Sequence, residues 1–359
     1  MAQVAGDTID ELGLDDGTGG EPSSRIIGRS PSELFWRRFR QDRFALVGMV
    51  IIGIIVLLAL AAPLFAKLTG HAPNNVFAQV YPRGALDEYG LPIGPNAEFW
   101  FGADTAGRDL FIRVLYGAQT SLFVALLATG ISLVIGVTFG LIAGYYRSKI
   151  DTVISRMIDI ILALPVLLLA LGLVAGCGSQ SGCLNGLIKP GRMLVAYVIG
   201  LFSWPYIARI VRGQVLSLRE KEFVEAARSL GSGDGRIIFR EILPNVVAPI
   251  IVYTTLIIPN NVLFEAALSF LGVGVPPTTP SWGRMLAEGG DPLTLSTRWW
   301  MMIFPGLFLF LTTLAFNLVG DGMRDALDPR GARHKPREKK RKKEKHPTAE
   351  PVGAAGTVG

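Results

Sequence analysis

Few side chains in this sequence are placed to do chemistry of their own. The three histidines, His71, His334 and His346, stand far apart, and the two cysteines, Cys177 and Cys183, share one glycine-rich stretch, GCGSQSGCLNG. A zinc-type site needs about four nitrogen or sulfur ligands converging at roughly 2 Å. This scatter does not assemble one locally, so no metal site is expected. In an oxidising compartment the cysteine pair suits a disulfide; two free thiols fit the sequence equally well.

Carriers driven by protons or sodium tend to hold ionisable residues inside their apolar segments. Here those segments are nearly clean. Asp159 is the exception, one helical turn after Arg156, a spacing that favours a local ion pair and leaves a proton relay as the competing reading. Glu265 falls at the end of an apolar run, where it is expected to reach water. No GxxxxGK[ST] loop is present to cradle nucleotide phosphates, and no filter-like loop or acidic ring suggests a channel. No catalytic residues are expected, and if the chain transports, its energy comes from a partner.

The elements that hold these residues are membrane helices. Charged residues make up 18% of the chain against 50% hydrophobic, with mean hydropathy +0.41, whereas soluble domains carry about a quarter charged. Runs near the roughly 20 residues needed to cross a bilayer core occur at Phe44 to Ala66, Ala118 to Tyr145, Met157 to Ala175, Met193 to Val211, Val246 to Glu265 and Trp299 to Val319. Six spans are therefore expected. The prolines inside them, Pro165, Pro205, Pro249, Pro259 and Pro305, are tolerable where neighbouring helices re-satisfy the backbone. Of the 35 lysines and arginines, 27 fall on the side that holds both termini and eight on the other. The positive-inside rule then places both termini in the cytoplasm of a multi-pass plasma or inner membrane protein. The first run is long, arginine-flanked and without a small-residue cleavage site, so it reads as a retained anchor.

The ends, residues 1 to 31 and 321 to 359, read as cytoplasmic tails, disordered where Gly, Ala, Asp, Thr and Pro dominate. The run REKKRKKEKH lacks interleaved aromatics, so it suits solvent or anionic lipid and gives no sign of nucleic acid. Residues 32 to 67 carry the first span. Residues 68 to 117 form an outer loop in which GRDLFIRVLYG is expected as an interfacial helix, with Leu110, Phe111, Val114 and Leu115 toward the membrane. Residues 118 to 320 form a five-helix core whose largest internal loop is 212 to 245.

That loop contains KEFVEAARSLG. Phe223, Ala226, Ala227 and Leu230 recur at i, i+3, i+4 and i+7 and make one apolar stripe, with Glu225 and Arg228 off it. Gly231 supplies the left-handed position that ends a helix, and Asp234 is placed to cap the next turn, RIIFREIL. Either the protein's own inner face covers the stripe or a groove on a separate soluble subunit does; periodicity leaves both open.

Glu225, Ala226, Ala227, then three residues, Gly231, a spacer and the pair Leu243 and Pro244 resemble the EAA motif of binding-protein-dependent ABC importer permeases. Glu241 departs from the broad consensus, which prefers an aliphatic residue there. Three more segments resemble the C-type permease subunits of dipeptide, oligopeptide and nickel importers. They are SELFWRRFRQDRFALVGMVII, FGADTAGRDLFIRVLYGAQTSL with Gly102, Asp104, Gly107, Arg108 and Asp109 matching, and FNLVGDGMRDALDPR. Gln119 stands where arginine is common. The phrase FEAALSFLGVGVPPTTPSWGRML resembles an outer-loop segment of peptide permeases, on the side opposite the EAA loop. The likeness runs from about Ser32 to Arg330.

The resemblance implies an all-α transmembrane protein, a six-helix type I ABC importer permease. Its coupling helix, with Phe223, Glu225, Ala226, Ala227, Leu230 and Gly231 followed by Leu243 and Pro244, would sit in a cleft of an ATPase subunit. It further implies a second homologous permease subunit, one or two ATPase subunits that bind ATP and Mg, and an extracytoplasmic solute-binding protein. The chain itself would hold no cofactor. Short peptides are the leading cargo; nickel chelates, glutathione and oligosaccharides travel through similar permeases. A self-contained secondary carrier sensitive to Asp159, and a membrane scaffold that transports nothing, are the readings from other classes.

Overall fold

Uninterrupted apolar sequence folds into long helices. A computed structural model describes residues 31–177, 189–290 and 297–327. Residues 1–30 and 328–359 of the tails, and Cys183, lie outside the described residues. Among the described residues, five helices are long and apolar enough to cross a membrane: α2 (Arg43–Thr69), α3 (Leu110–Tyr146), α6 (Arg192–Leu218), α9 (Leu243–Phe270, continuing the turns from Asp234) and α11 (Trp300–Leu327). The count rises to six only if α4 (Ser148–Ala163) and α5 (Val166–Cys177) make one span, and these are bent by 84°. The third span expected from Met157 to Ala175 falls on this bent pair, with the break at Pro165. Pro165 has no amide hydrogen and drives the residue before it into extended backbone; Leu164 accordingly sits at φ −82°, ψ 146°.

A correction concerns GRDLFIRVLYG, which from Leu110 on is the first part of α3 and not a separate interfacial helix. Asp109 caps α3 by accepting from the amides of Phe111 and Ile112 at 2.9 and 3.4 Å. Nothing breaks the helix from there to Tyr146. Leu110 and Val114 pack with Trp282, Met285 and Trp300, and Phe111 and Leu115 with Ala62, so these side chains face protein.

The bundle is held by small residues, as expected where the lipid is as apolar as the helices. On α3, Gly136, Gly140 and Gly144 lie one turn apart against Ile207, Val211 and Val215 of the parallel α6. A Cβ on any of the three would come within 2.7 Å of those side chains. Gly200 of α6 returns the contact on Ile131. On the other side Gly48 of α2 meets the Ala315 carbonyl of α11, and Ala45 meets Gly322. α11 runs to Leu327, past the expected boundary at 320, because Ala326 and Met323 pack on Phe35 and Phe39 of the short helix α1 (Pro31–Phe39).

One end of the bundle, the basic end, carries α1, α7 (Glu222–Ser229), the short turn α8 (Asp234–Arg236) and a π-helical turn at Ile237–Ile242. The opposite end carries the loop from His71 to Asp109 and α10 (Trp282–Gly289). That loop has a small core of its own, Ala85, Phe99 and Ala103 with Phe77 and Ile93, on which the His71 ring stacks 5.0 Å from Phe99.

Candidate functional site

At the basic end, α7 is too short to be stable alone, so its attachment explains it. Val224 is fully buried among Val215, Ile237, Ile242 and Val246. The stripe read from the sequence turns the other way. Phe223 is 38% and Leu230 86% exposed, Ala226 is exposed and Ala227 is half-buried, with Glu225 on the open side. Of the stripe, the protein's own face covers only Ala227, which packs against the cluster around Val224, and leaves Phe223, Ala226 and Leu230 open. Gly231 at φ +77° closes the helix: its amide donates to the Arg228 carbonyl and the Ser232 amide to that of Ala227, the paired bonds of a Schellman ending.

Asp234 does not cap the next turn, which corrects the sequence reading; Gly233 holds the capping position, without a side-chain bond. The Asp234 carboxylate instead accepts a 2.7 Å bond from the Tyr145 hydroxyl of α3. Nearby, Arg219 donates to the Tyr145 carbonyl, Arg147 pairs with Glu220, and Arg212 of α6 clamps Asp151 of α4 through two bonds, one of 2.8 Å. Leu243 is half-buried and Pro244 exposed at the start of α9. The π turn passes the Leu243 amide to the Ile238 carbonyl just before the proline removes a donor.

At the opposite end, the five motif residues of the loop are brought together and face inward. Gly102 sits at φ +75°, where an added Cβ would lie 2.8 Å from the Ile93 carbonyl and the Trp300 indole nitrogen. Buried Asp104 accepts from the amides of Ala106 and Arg108 at 2.9 Å each and from the Arg108 side chain at 2.7 Å. Arg108 in turn reaches Glu288 of α10 at 3.2 Å. Gly107, at φ +74°, lies against the Phe77 backbone. Asp109 caps α3 and meets His71 Nδ1 at 2.6 Å. Burial pushes the Asp109 carboxyl above its ordinary value while the His71 bond pulls it down. Sequence reasoning missed Arg113, which is fully buried, donates to the Pro73 carbonyl and lies 3.1 Å from Asp104.

Glu265 is a further correction. It does not reach water: it has no exposed surface, and the hydroxyls of Ser121, on α3, and Ser269 donate to it at 2.8 Å each, with Ser281 at the cap of α10 completing the set. Each partner satisfies an acceptor that would otherwise be costly to bury. The neighbouring Ala266 backbone lies against Gly283, and the Trp282 indole donates to the Val114 carbonyl. The second small-residue phrase is thus a seat for α10.

Asp159 pairs with Arg209 of α6 at 2.8 Å, both half-exposed, and not with Arg156. Gln119 donates to the Ala59 carbonyl of α2 at 2.6 Å. Cys177 is buried and disulfide-bonded. Among the described residues no cluster of His, Cys, Asp or Glu could hold a metal ion.

A helical membrane bundle of this kind is the fold of ABC importer permeases. The MetNI methionine ABC transporter in inward-facing conformations superimposes with a TM-score of 0.50 at 18% identity, covering 60% of this chain and 96% of that one. Residues 136–333 match the binding-protein-dependent transport system inner membrane component, and residues 30–83 match the N-terminal TM domain of oligopeptide transport permease C. The chain belongs to the family of binding-protein-dependent transport system inner membrane components. It is 40% identical to the dipeptide transport system permease protein DppC of Alkalihalophilus pseudofirmus, over 86% of this chain and 93% of that protein. With DppC of Bacillus subtilis it shares 39% identity over 82% of this chain and 84% of that one. The glutathione transport system permease protein GsiD of Pectobacterium atrosepticum is likewise 39% identical, over 84% and 92%. The chain is a membrane permease subunit of an ABC importer, with several apolar helices.

Proposed function

We propose that this chain forms half of the pathway of an ATP-driven importer for di- and oligopeptides, and that α7 receives the stroke of its ATPase partners. A second homologous permease subunit supplies the other half. The relatives named for dipeptides and for glutathione, itself a small peptide, support the cargo. The basic end faces the cytoplasm, in keeping with the 27 to eight division of basic residues, and the tails lie on that side. ATP and Mg belong to the ATPase subunits.

One observation carries the coupling role: Val224 anchors α7 while Phe223, Ala226 and Leu230 stay uncovered on the reverse face. An exposed apolar stripe rimmed by Glu225 and Arg228 is the footprint of a helix laid into a partner's groove. Residues of the loop at the opposite end receive the solute-binding protein, with its buried Asp104 to Glu288 clamp supporting that surface from beneath.

The test is a complex reconstituted in proteoliposomes with Ala226→Trp or Leu230→Glu. Both positions are exposed, so folding should survive. Loss of dipeptide-stimulated ATP hydrolysis and uptake is expected; unchanged rates of both would sink the coupling role.

A further inference from the structure

A cavity of about 630 Å³ opens between α5, α6 and α9, within the size range of small-ligand sites. Its position is central along α6 and α9 and at the start of α5. Tyr206 lies near the middle of α6, Tyr253 and Asn260 flank the middle of α9, and Val166 is the first residue after the Pro165 break. The lining contains no Asp, Glu, Lys or Arg, but it does contain two tyrosines, two asparagines and Ser203. Such groups are expensive to leave against hydrocarbon, and mid-membrane polar groups are a functional signal.

These polar residues divide into two sets. Asn261 is buried and engaged at both ends of its amide: it donates to Thr129 of α3 at 2.8 Å and accepts from Ser203 of α6 at 2.9 Å. That knot fixes where α9 stands against α3 and α6. Tyr206 and Tyr253, in contrast, have no hydrogen-bond partner for their hydroxyls among the described residues, and Tyr206 is 57% exposed. Asn260 is exposed, and its amide nitrogen is tied only to the Leu256 carbonyl of its own helix. Three uncommitted polar ends therefore project from a rigid node into a mainly apolar space.

We infer that this cavity is a peptide-contacting wall of the pathway, with Tyr206, Tyr253 and Asn260 meeting the amide groups of a short peptide. This rests on the importer reading above and names the contact residues it lacks. Amide–carbonyl pairs along a peptide need both donors and acceptors; tyrosine hydroxyls and an asparagine supply both. The absence of charge means that no side chain of the cargo is selected by ion pairing here. The wall admits peptides of varied sequence, leaving discrimination to other parts of the importer.

The test uses the complete importer in proteoliposomes, carrying Asn260→Cys and treated with a membrane-impermeant methanethiosulfonate. The unsubstituted complex serves as the blank. Labelling that L-alanyl-L-alanine suppresses and maltose does not is the expected result. No labelling would mean that lipid or the second subunit covers the wall, and would overturn the inference. Labelling indifferent to dipeptide, or equally suppressed by maltose, would overturn it too. Tyr206→Phe, which removes only a hydroxyl, should raise the KM for dipeptide uptake about three- to tenfold with kcat retained; an unchanged KM speaks against contact. Absence of ATP-driven uptake in the unsubstituted complex would instead sink the importer reading, a failure distinct from that of the labelling.

Discussion

The hydroxyl of Tyr145, in the last turn of α3, donates a 2.7 Å hydrogen bond to Asp234, at the start of the segment that follows α7. Through it a membrane helix holds the exposed basic-end elements, beside Arg228 of α7, which also meets the Tyr145 hydroxyl, and Arg219, which donates to the Tyr145 carbonyl. Tyr145→Phe keeps the ring packing and deletes the bond, at a cost of about 0.5–1.5 kcal/mol. ATP hydrolysis by the reconstituted importer should persist while dipeptide uptake per ATP falls. The ratio of uptake to phosphate release measures this, and an unaltered ratio would argue that the grip transmits nothing.

Gly231 sits at φ +77° with nothing within 4 Å of where a Cβ would stand. Gly231→Ala therefore isolates the backbone cost, about 1–2 kcal/mol. Gly231→Asn should recover part of it, since asparagine tolerates the left-handed region. Thermal denaturation midpoints in detergent should rank Gly above Asn above Ala.

Gly140 meets the Val211 side chain and the Ala208 carbonyl at 2.7 and 2.8 Å from a notional Cβ, whereas Gly213 meets nothing within 4 Å. Gly140→Leu should force α3 and α6 apart and cost about 1–3 kcal/mol or more. Gly213→Leu should be neutral. Size-exclusion monodispersity and melting midpoint would separate the two; equal behaviour would refute the tight seam.

Glu265 accepts from Ser121 and Ser269 while fully enclosed. Glu265→Gln retains an acceptor and the volume, so it should melt close to the parent. Glu265→Leu strands the Ser121 and Ser281 hydroxyls at about 1–3 kcal/mol each and should loosen α10. Limited proteolysis around residues 276–290 would report that loosening, and equal resistance in both variants would count against the seat.

Five of the long helices could be read because hydropathy is a local sum over contiguous residues, and α7 could be read because its period and its closing Gly231 are local too. Which face of α7 looks inward was not readable. Val224 falls outside the i, i+3, i+4, i+7 stripe, yet it is the residue that Ile237 and Val246 bury, and those partners arrive only when the chain folds back. Glu265 was misplaced for the same reason: Ser121 is 144 positions away. Asp159 chose Arg209, 50 positions on, over Arg156 because α6 lies beside α4. The Pro165 break was visible as a proline, but other prolines such as Pro205 stay inside unbroken helices, so residue type alone did not predict the bend.

The row of glycines between α3 and α6 bears on how such a machine opens. Two helices that approach this closely at Gly136, Gly140 and Gly144 behave as one stiff girder, and sliding one past the other would drive Val211 into the side chains that flank its glycine. A rocking motion that reaches the centre would therefore carry this pair as a block.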